Sequence, residues 1–158
     1  MFKYNKKGFS LLGVIIATLI TSIGLVSILS LAALSLRGAS LSKTRLIASG
    51  LAQEGIEVVR GIRQSYEPWD DWYNMVSTGV YRVQYNSKAF MWFSNTPLKL
   101  DKTSGLYQYG SGDNSPFYRK IALEKISDNE LKVMVEIKWQ TKGNWHYLTV
   151  EDRLWNWR

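Results

Sequence analysis

The chain contains no cysteine, one histidine and three prolines among its 158 residues. Without cysteine there is no disulfide, no cysteine–zinc site and no thiol catalysis. The single histidine, His146, has no second histidine or cysteine with which to bind a metal or activate a nucleophile. No glycine-rich phosphate loop precedes a helix. We therefore expect a protein that is not an enzyme and that holds no cofactor and no metal.

Charge is absent from one long segment. No Asp, Glu, Lys, Arg or His occurs from Phe9 to Leu36, a run of 28 residues. As a helix this run would be about 42 Å long, which exceeds the roughly 30 Å hydrocarbon core of a bilayer. It is also about twice the apolar length of a cleaved secretory signal. These features predict a transmembrane helix over residues 9–36.

The charges that flank this run do not fix its orientation. Three lysines precede the run, and Arg37, Lys43 and Arg45 follow it. Loop charge normally sets topology through an excess of basic residues on the cytoplasmic side, and here the two flanks are similar. The short basic N-terminus and the large polar C-terminal part favour a single pass through the cytoplasmic membrane with the C-terminal head outside.

The stretch "KKGFSLLGVIIA" (residues 6–17) combines a basic leader that ends in Gly8 with Phe9 at the start of the apolar run. It resembles the prepilin junction of type IV pilins and pseudopilins. In that family a membrane prepilin peptidase cuts after the glycine and methylates the new N-terminal residue. The resemblance implies a leader peptide over residues 1–8, cleavage between Gly8 and Phe9, and N-methylation of Phe9.

The fifth residue after the expected cut departs from the family pattern. Most members carry Glu there, which is thought to neutralise an N-terminal amine within the apolar filament core, where an unpaired charge is costly. This chain has Gly13 at that register position. Either the subunit lies at or near the filament tip, or it is a low-abundance subunit that packs beside ordinary ones. We favour the tip.

Residues 37–65 are predicted to continue the helix with an apolar face on one side, and Pro68 to end it. The stretch "LAQEGIEVVRGIR" (51–63) resembles minor pilins of the PilV-like branch. The apolar residues that recur at helical spacings of three, four or seven are Leu41, Ala48, Leu51, Ala52, Gly55, Val59 and Ile62.

Residues 66–158 are predicted to form an antiparallel sheet, because apolar and polar residues alternate along them. Residues 101–116 are rich in Gly, Ser, Asp and Asn and predict a loop. A sheet and a helix that each have one apolar face bury each other, which predicts an α+β pilin fold. The predicted strands are 80–85, 90–93, 117–126, 130–140 and 144–154.

Two groups of acidic residues contain the side-chain type that binds metal ions. Glu54 and Glu57 are three residues apart on the helix, and a solvated helix face is the favoured interpretation. Asp101, Asp113 and Asn114 do not match the spacing of a calcium loop, and turn chemistry explains them more simply.

The aromatic residues of the head are assigned to packing rather than to a binding patch. "YEPWDDWY" (66–73) follows the long helix directly. We expect Trp155 or Trp157 to be buried against the helix, and His146 to be partly buried or at a sheet edge.

These features predict a minor pilin or pseudopilin that primes, caps or decorates a cell-surface filament. Its expected partners are a prepilin peptidase, other pilin subunits through the N-terminal helix, an assembly platform protein, and the membrane before assembly. The alternative is an uncleaved, bitopic membrane-anchored binding or adhesion protein. Nucleic acid is unsupported as a partner, because basic and aromatic residues are scattered along the head. The sequence does not distinguish adhesion, twitching motility, DNA uptake and protein secretion.

Overall fold

The computed structural model describes residues 11–156. Their first element is one uninterrupted α-helix, α1 (Leu11–Gln64), which contains no proline. By its contacts the chain divides into two compact units, the first ending at Thr44 and the second beginning at Arg45. Because α1 ends at Gln64, the predicted C-terminal end of the helix at residue 65 is correct to within one residue.

The second unit is built on a five-stranded antiparallel sheet in the order β2-β1-β6-β7-β8. Three long strands dominate it and form two successive hairpins, as the alternating pattern predicts. Lys142 and Gly143 close the second hairpin with φ angles of 51° and 85°, as a two-residue turn requires. The strands of this sheet are β1 (Gly79–Arg82), β2 (Met91–Trp92), β6 (Phe117–Ser127), β7 (Glu130–Thr141) and β8 (Asn144–Trp155).

One face of α1 from Ala48 onward packs on one face of this sheet and forms the core. Every inward residue of β7 between positions 131 and 139 is at most 3% exposed. The α+β class predicted from the sequence is thus confirmed, with an antiparallel sheet following a long N-terminal helix. The buried helix residues are Ala48, Leu51, Ala52, Gly55, Ile56, Val59 and Ile62.

The predicted apolar face of α1 differs from the observed buried face at two residues. Leu41 was assigned to it but is 41% exposed, because the packed stretch begins only at Ala48. Ile56 was not assigned to it but is buried, since it lies next to Gly55 on a wider apolar stripe.

A short second helix, α2 (Trp69–Met75), follows Pro68, which occupies its N-cap. No helix was predicted here, because seven residues give too short a periodic pattern. The aromatic residues of this segment are buried, which confirms their assignment to packing. They are Trp69, Trp72 and Tyr73.

Helix α2 is tied to the turn between β6 and β7. The indole Nε1 of Trp69 donates to the carbonyl oxygen of Asp128 at 2.8 Å, and the Tyr73 hydroxyl donates to that of Ser127 at 2.7 Å. The pKa of Tyr73 is raised mainly by burial of the side chain, and the negative charge of Asp128 adds to this effect. Trp69 and Tyr73 thus bury their rings and still satisfy their polar ends, whereas the buried indole Nε1 of Trp72 has no hydrogen-bond partner in the described part of the chain.

The loop predicted over residues 101–116 is partly wrong. It contains β4 (Tyr107–Gln108) and β5 (Asp113–Asn114), which pair with β3 (Lys99–Leu100) in the order β4-β3-β5. Strands of two residues are too short to show an alternating pattern, so the sequence did not reveal them. Gly112 has a φ of +118°, and a Cβ there would lie 2.7 Å from the Leu100 carbonyl oxygen.

Candidate functional site

The first unit presents an unusual apolar surface. From Leu11 to Leu36 its large apolar side chains are 45–78% exposed, and no residue is buried. The mean hydropathy of an 18-residue stretch reaches 2.5. By length and composition this helix can cross a membrane. An exposed apolar surface of this extent marks contact with lipid or with another protein.

Five of the six hydroxyl side chains between residues 11 and 36 are satisfied within the helix itself. Each of these five donates a hydrogen bond of 2.8–2.9 Å to a backbone carbonyl three or four residues earlier. In an apolar medium a free hydroxyl would cost several kcal/mol, so this arrangement suits lipid or a dry protein interface. The residues concerned are Thr18, Thr21, Ser22, Ser27 and Ser30.

Gly13 lies on this surface, in the helix. A Cβ built on Gly13 or on Gly24 would meet nothing within 4 Å. Packing within the described chain therefore does not require glycine at either position. The predicted processing residues, Gly8 and Phe9, lie outside the described residues.

The second unit contains a buried cation that the sequence analysis did not single out. The Arg119 side chain on β6 is fully buried. Its Nη1 donates to Glu54 Oε1 at 2.8 Å and to the Leu51 carbonyl at 3.1 Å, and its Nη2 donates to the Val83 carbonyl at 2.7 Å. One guanidinium thus links α1, β6 and the segment after β1.

The position of Arg119 was readable from the alternation along its strand. Phe117, Ile121 and Leu123 point to the core, and Arg119 shares their parity. The neighbouring Tyr109 donates its hydroxyl to the Arg119 carbonyl at 3.3 Å. Burial raises the pKa of Tyr109. A charged residue on the apolar face of a strand predicts a buried partner.

Glu54 and Glu57 each bind a different arginine. Glu54 binds Arg119, whereas Glu57 accepts from Arg60 Nη1 at 2.6 Å. The predicted solvated face is correct for Glu57 and wrong for Glu54, whose side chain is 28% exposed. Within residues 11–156, no three His, Cys, Asp or Glu side chains are grouped so that they could hold a metal ion.

Asp101 makes turn contacts, whereas Asp113 makes a salt bridge. Asp101 accepts from the Thr103 N–H and the Ser104 hydroxyl, each at 2.9 Å. The carboxylate of Asp113 pairs with Lys102 Nζ at 2.6 Å. These contacts lower the pKa of both aspartates. The turn interpretation is confirmed for Asp101 and is wrong for Asp113 and Asn114, which form strand β5.

The remaining residues with a predicted position lie on the edge strand β8 or directly after it. His146 is half-buried and stacks on Trp139 with ring centroids 5.4 Å apart, as the edge prediction requires. Trp155 is 43% exposed, so the prediction that Trp155 or Trp157 is buried does not hold for Trp155. Trp155 has odd parity on β8, and the odd residues face away from α1. Trp157 lies outside the described residues.

Basic and aromatic residues come together at one place on the outer sheet face. Lys138 Nζ lies 4.9 Å from the ring centroid of Tyr118 and 5.3 Å from that of Trp145. This is one cation between two rings, a contact that contributes to local packing.

Comparison of this chain with protein-family models, curated proteins and solved structures finds no match.

Proposed function

We propose that the chain is a minor type IV pilin or pseudopilin. It enters the cytoplasmic membrane through its apolar helix, with the head outside. A prepilin peptidase then cuts between Gly8 and Phe9 and methylates Phe9. The processed subunit joins other pilin subunits and an assembly platform protein, and it primes, caps or decorates a cell-surface filament.

The observation that carries this proposal is that one part of α1 is exposed and apolar whereas another part is packed on the sheet. Residues 11–36 include no charged residue and no buried residue. The five hydroxyl groups described above are all hydrogen-bonded to the backbone of their own helix. Residues 48–62 of the same helix are packed on the sheet. A subunit that moves from lipid to a filament needs an apolar helix surface that suits both media. The basic leader and the Gly8–Phe9 junction supply the matching processing signal.

Position in the filament follows from Gly13. A glutamate at this point would serve to neutralise an N-terminal amine in an apolar core. Gly13 offers no carboxylate, so an internal position would leave a buried amine without a counter-charge. At the tip no subunit above requires one. We therefore place the subunit at or near the tip.

Co-expression of the full chain with a prepilin peptidase tests the proposal. Cleavage removes eight residues, and mass spectrometry should record a loss of about 1 kDa and a new N-terminus at methylated Phe9. Gly8→Val should block the cut, because a branched side chain hinders entry into an extended protease cleft. Gly13→Ala is the matched control and should be cut like the parent.

The alternative function, an uncleaved bitopic binding protein, predicts a different outcome. The full-length chain would persist with the peptidase present, and Gly8→Val would change nothing. Persistence of Met1 in the parent, under conditions where a known pilin is cut, would contradict the pilin proposal.

A further inference from the structure

Strand β8 forms a long free edge of the five-stranded sheet. All twelve of its residues pair with β7 without a register shift, from Asn144 opposite Thr141 to Trp155 opposite Glu130. Among residues 11–156, no strand pairs with its other side. The opposite edge of the sheet is β2, which has only two residues. The two edges are therefore very different in length.

This edge lacks most of the features that normally prevent strands from pairing. Proteins protect free edges with short strands, proline, charged side chains or bulges, and of these β8 has only the three charged residues at positions 151–153. The segment from Asn144 to Trp155 contains no proline, lysine or glycine, and its register with β7 is regular. Its outward face instead carries three aromatic side chains that are 43–61% exposed: Trp145, Tyr147 and Trp155.

The free edge exposes the backbone of the odd-numbered residues. Asn156 donates its backbone N–H to the Asn129 carbonyl oxygen, so even-numbered residues direct their backbone groups towards β7. Successive residues of a strand direct these groups to opposite edges. The odd-numbered residues of β8 therefore offer their N–H and C=O groups to an additional strand.

The side chains of β8 complement those of a second β8 in an antiparallel pair. Opposed residues must have the same parity, so that both present backbone groups and both lie on one face. A pair centred on Thr149 satisfies this condition. It places Thr149 opposite itself, Tyr147 opposite Glu151, Trp145 opposite Arg153, Leu148 opposite Val150 and His146 opposite Asp152.

The opposed pairs in this register bring complementary groups together. Arg153, which donates to Glu130 and Glu151 of its own chain, would lie opposite the ring of Trp145, and the Tyr147 hydroxyl would lie opposite the Glu151 carboxylate. His146 faces Asp152, whose Oδ2 already accepts from Arg60 at 3.0 Å. Its Oδ1 accepts no hydrogen bond within the described part of the chain and remains available to the imidazole.

Registers shifted towards the C-terminus are less favourable. A shift of two residues places the carboxylate of Asp152 opposite Leu148. A further shift places Glu151 opposite Glu151, which is repulsive. The register centred on Thr149 avoids both contacts. In it, the partly buried Leu148 and Val150 meet across the pair and extend the apolar face of the sheet.

We infer that β8 is a docking edge for a second copy of this chain, paired antiparallel about a two-fold axis at Thr149. This inference does not rest on the proposed filament function. The axis stands perpendicular to the sheet, so residues 45–64 of α1, which lie along the sheet, run in opposite directions in the two copies.

Cysteine cross-linking of the full chain in detergent tests this register, since the chain has no cysteine of its own. Opposed residues of this type have Cα atoms about 5.5 Å apart, which suits a disulfide. Thr149→Cys should form a disulfide dimer under mild oxidation. Glu151→Cys alone should not, whereas a mixture of Tyr147→Cys and Glu151→Cys should form the mixed dimer.

A backbone variant separates edge pairing from contact between the apolar helices. Thr149→Pro removes an N–H that points away from β7, so it costs no hydrogen bond within the sheet. It should abolish the pairing, read as loss of the mixed Tyr147→Cys/Glu151→Cys dimer, with the unfolding midpoint little changed. The inference is overturned if Thr149→Cys and Glu151→Cys cross-link equally, if Val150→Cys cross-links in preference, or if no variant cross-links while all remain folded.

Discussion

The guanidinium of Arg119 donates to the carboxylate of Glu54 across the interface between α1 and β6, with 2.8 Å between Nη1 and Oε1. The arginine side chain is fully buried, whereas that of Glu54 is 28% exposed. Removal of one partner leaves a buried charge without a counter-ion, which is costly in a medium of low dielectric constant. The pair therefore fixes how the packed part of α1 lies on the sheet.

Glu54→Ala should lower the free energy of unfolding of the head by about 1–3 kcal/mol. The same substitution in an Arg119→Met background should cost much less, because the cation is gone. Urea unfolding of the full chain in detergent measures this, and tryptophan fluorescence reports on the head because all seven tryptophans follow Pro68.

Glu57→Ala is the matched control for this cycle. Its carboxylate also pairs with an arginine, Arg60, but the two side chains are 65% and 43% exposed, and exposed pairs contribute about 0–1 kcal/mol. Equal costs for Glu54→Ala in the two backgrounds would mean that the buried pair does not stabilise the interface.

Gly55→Ala should destabilise the head by about 1–3 kcal/mol through overpacking. A Cβ at Gly55 would lie 2.9 Å from Val135 Cγ1. Gly50→Ala, where a Cβ meets nothing within 4 Å, should be neutral or stabilising by up to about 1 kcal/mol, because alanine favours the helix. Thermal unfolding followed by circular dichroism compares the two, and equal melting temperatures would show that the close approach at Gly55 is unimportant.

Acid should open the segment of residues 101–116 before the rest of the head. The pKa of Asp101 is lowered first by the Thr103 N–H and that of Asp113 by Lys102, from an ordinary value of 3.8. A lowered pKa in the folded state gives stabilisation that is present above the unfolded value and lost as the pH falls through the folded value. Pepsin cleavage within the segment should therefore increase below about pH 3.8, relative to a peptide standard.

The double variant Asp101→Asn and Asp113→Asn is the control for acid opening. It should be cut in this segment already at about pH 4.5, where the parent carboxylates are still ionised. Parent and variant that are cut alike at every pH would mean that these carboxylates do not hold the segment.

Gly13→Glu should move the subunit from the filament tip into the shaft. The new carboxylate could neutralise an N-terminal amine in the apolar core, which an internal position requires. Immunogold labelling along sheared filaments measures the distribution of parent and variant. If the two distribute identically, the missing carboxylate does not position the subunit.

Periodicity predicted the long elements well and the short ones poorly. Helix α1 and strands β6, β7 and β8 each repeat their pattern over eleven residues or more, and all four were predicted. Strands β1 and β2 overlap the predicted strands 80–85 and 90–93. Helix α2 and the two-residue strands β3, β4 and β5 were not predicted, because they offer too few repeats to be distinguished from loops. Their positions are set by tertiary contacts such as the bond from Trp69 to Asp128.

The candidate site was predicted only in part. The apolar surface of residues 11–36 follows directly from composition, and the structure adds that five of its hydroxyl groups bond to their own helix. The link between Arg119 and Glu54 needs both the strand parity and the facing helix position, which are far apart in sequence. Cleavage at Gly8 and methylation of Phe9 stay predictions.

The most direct test of the central claim is the N-terminus of the protein recovered from cells that produce it naturally. Mass spectrometry of that material should find N-methylated Phe9 as the first residue, with the chain present in a sheared filament fraction. Recovery solely as a chain that begins at Met1 and stays in the membrane fraction would contradict the account.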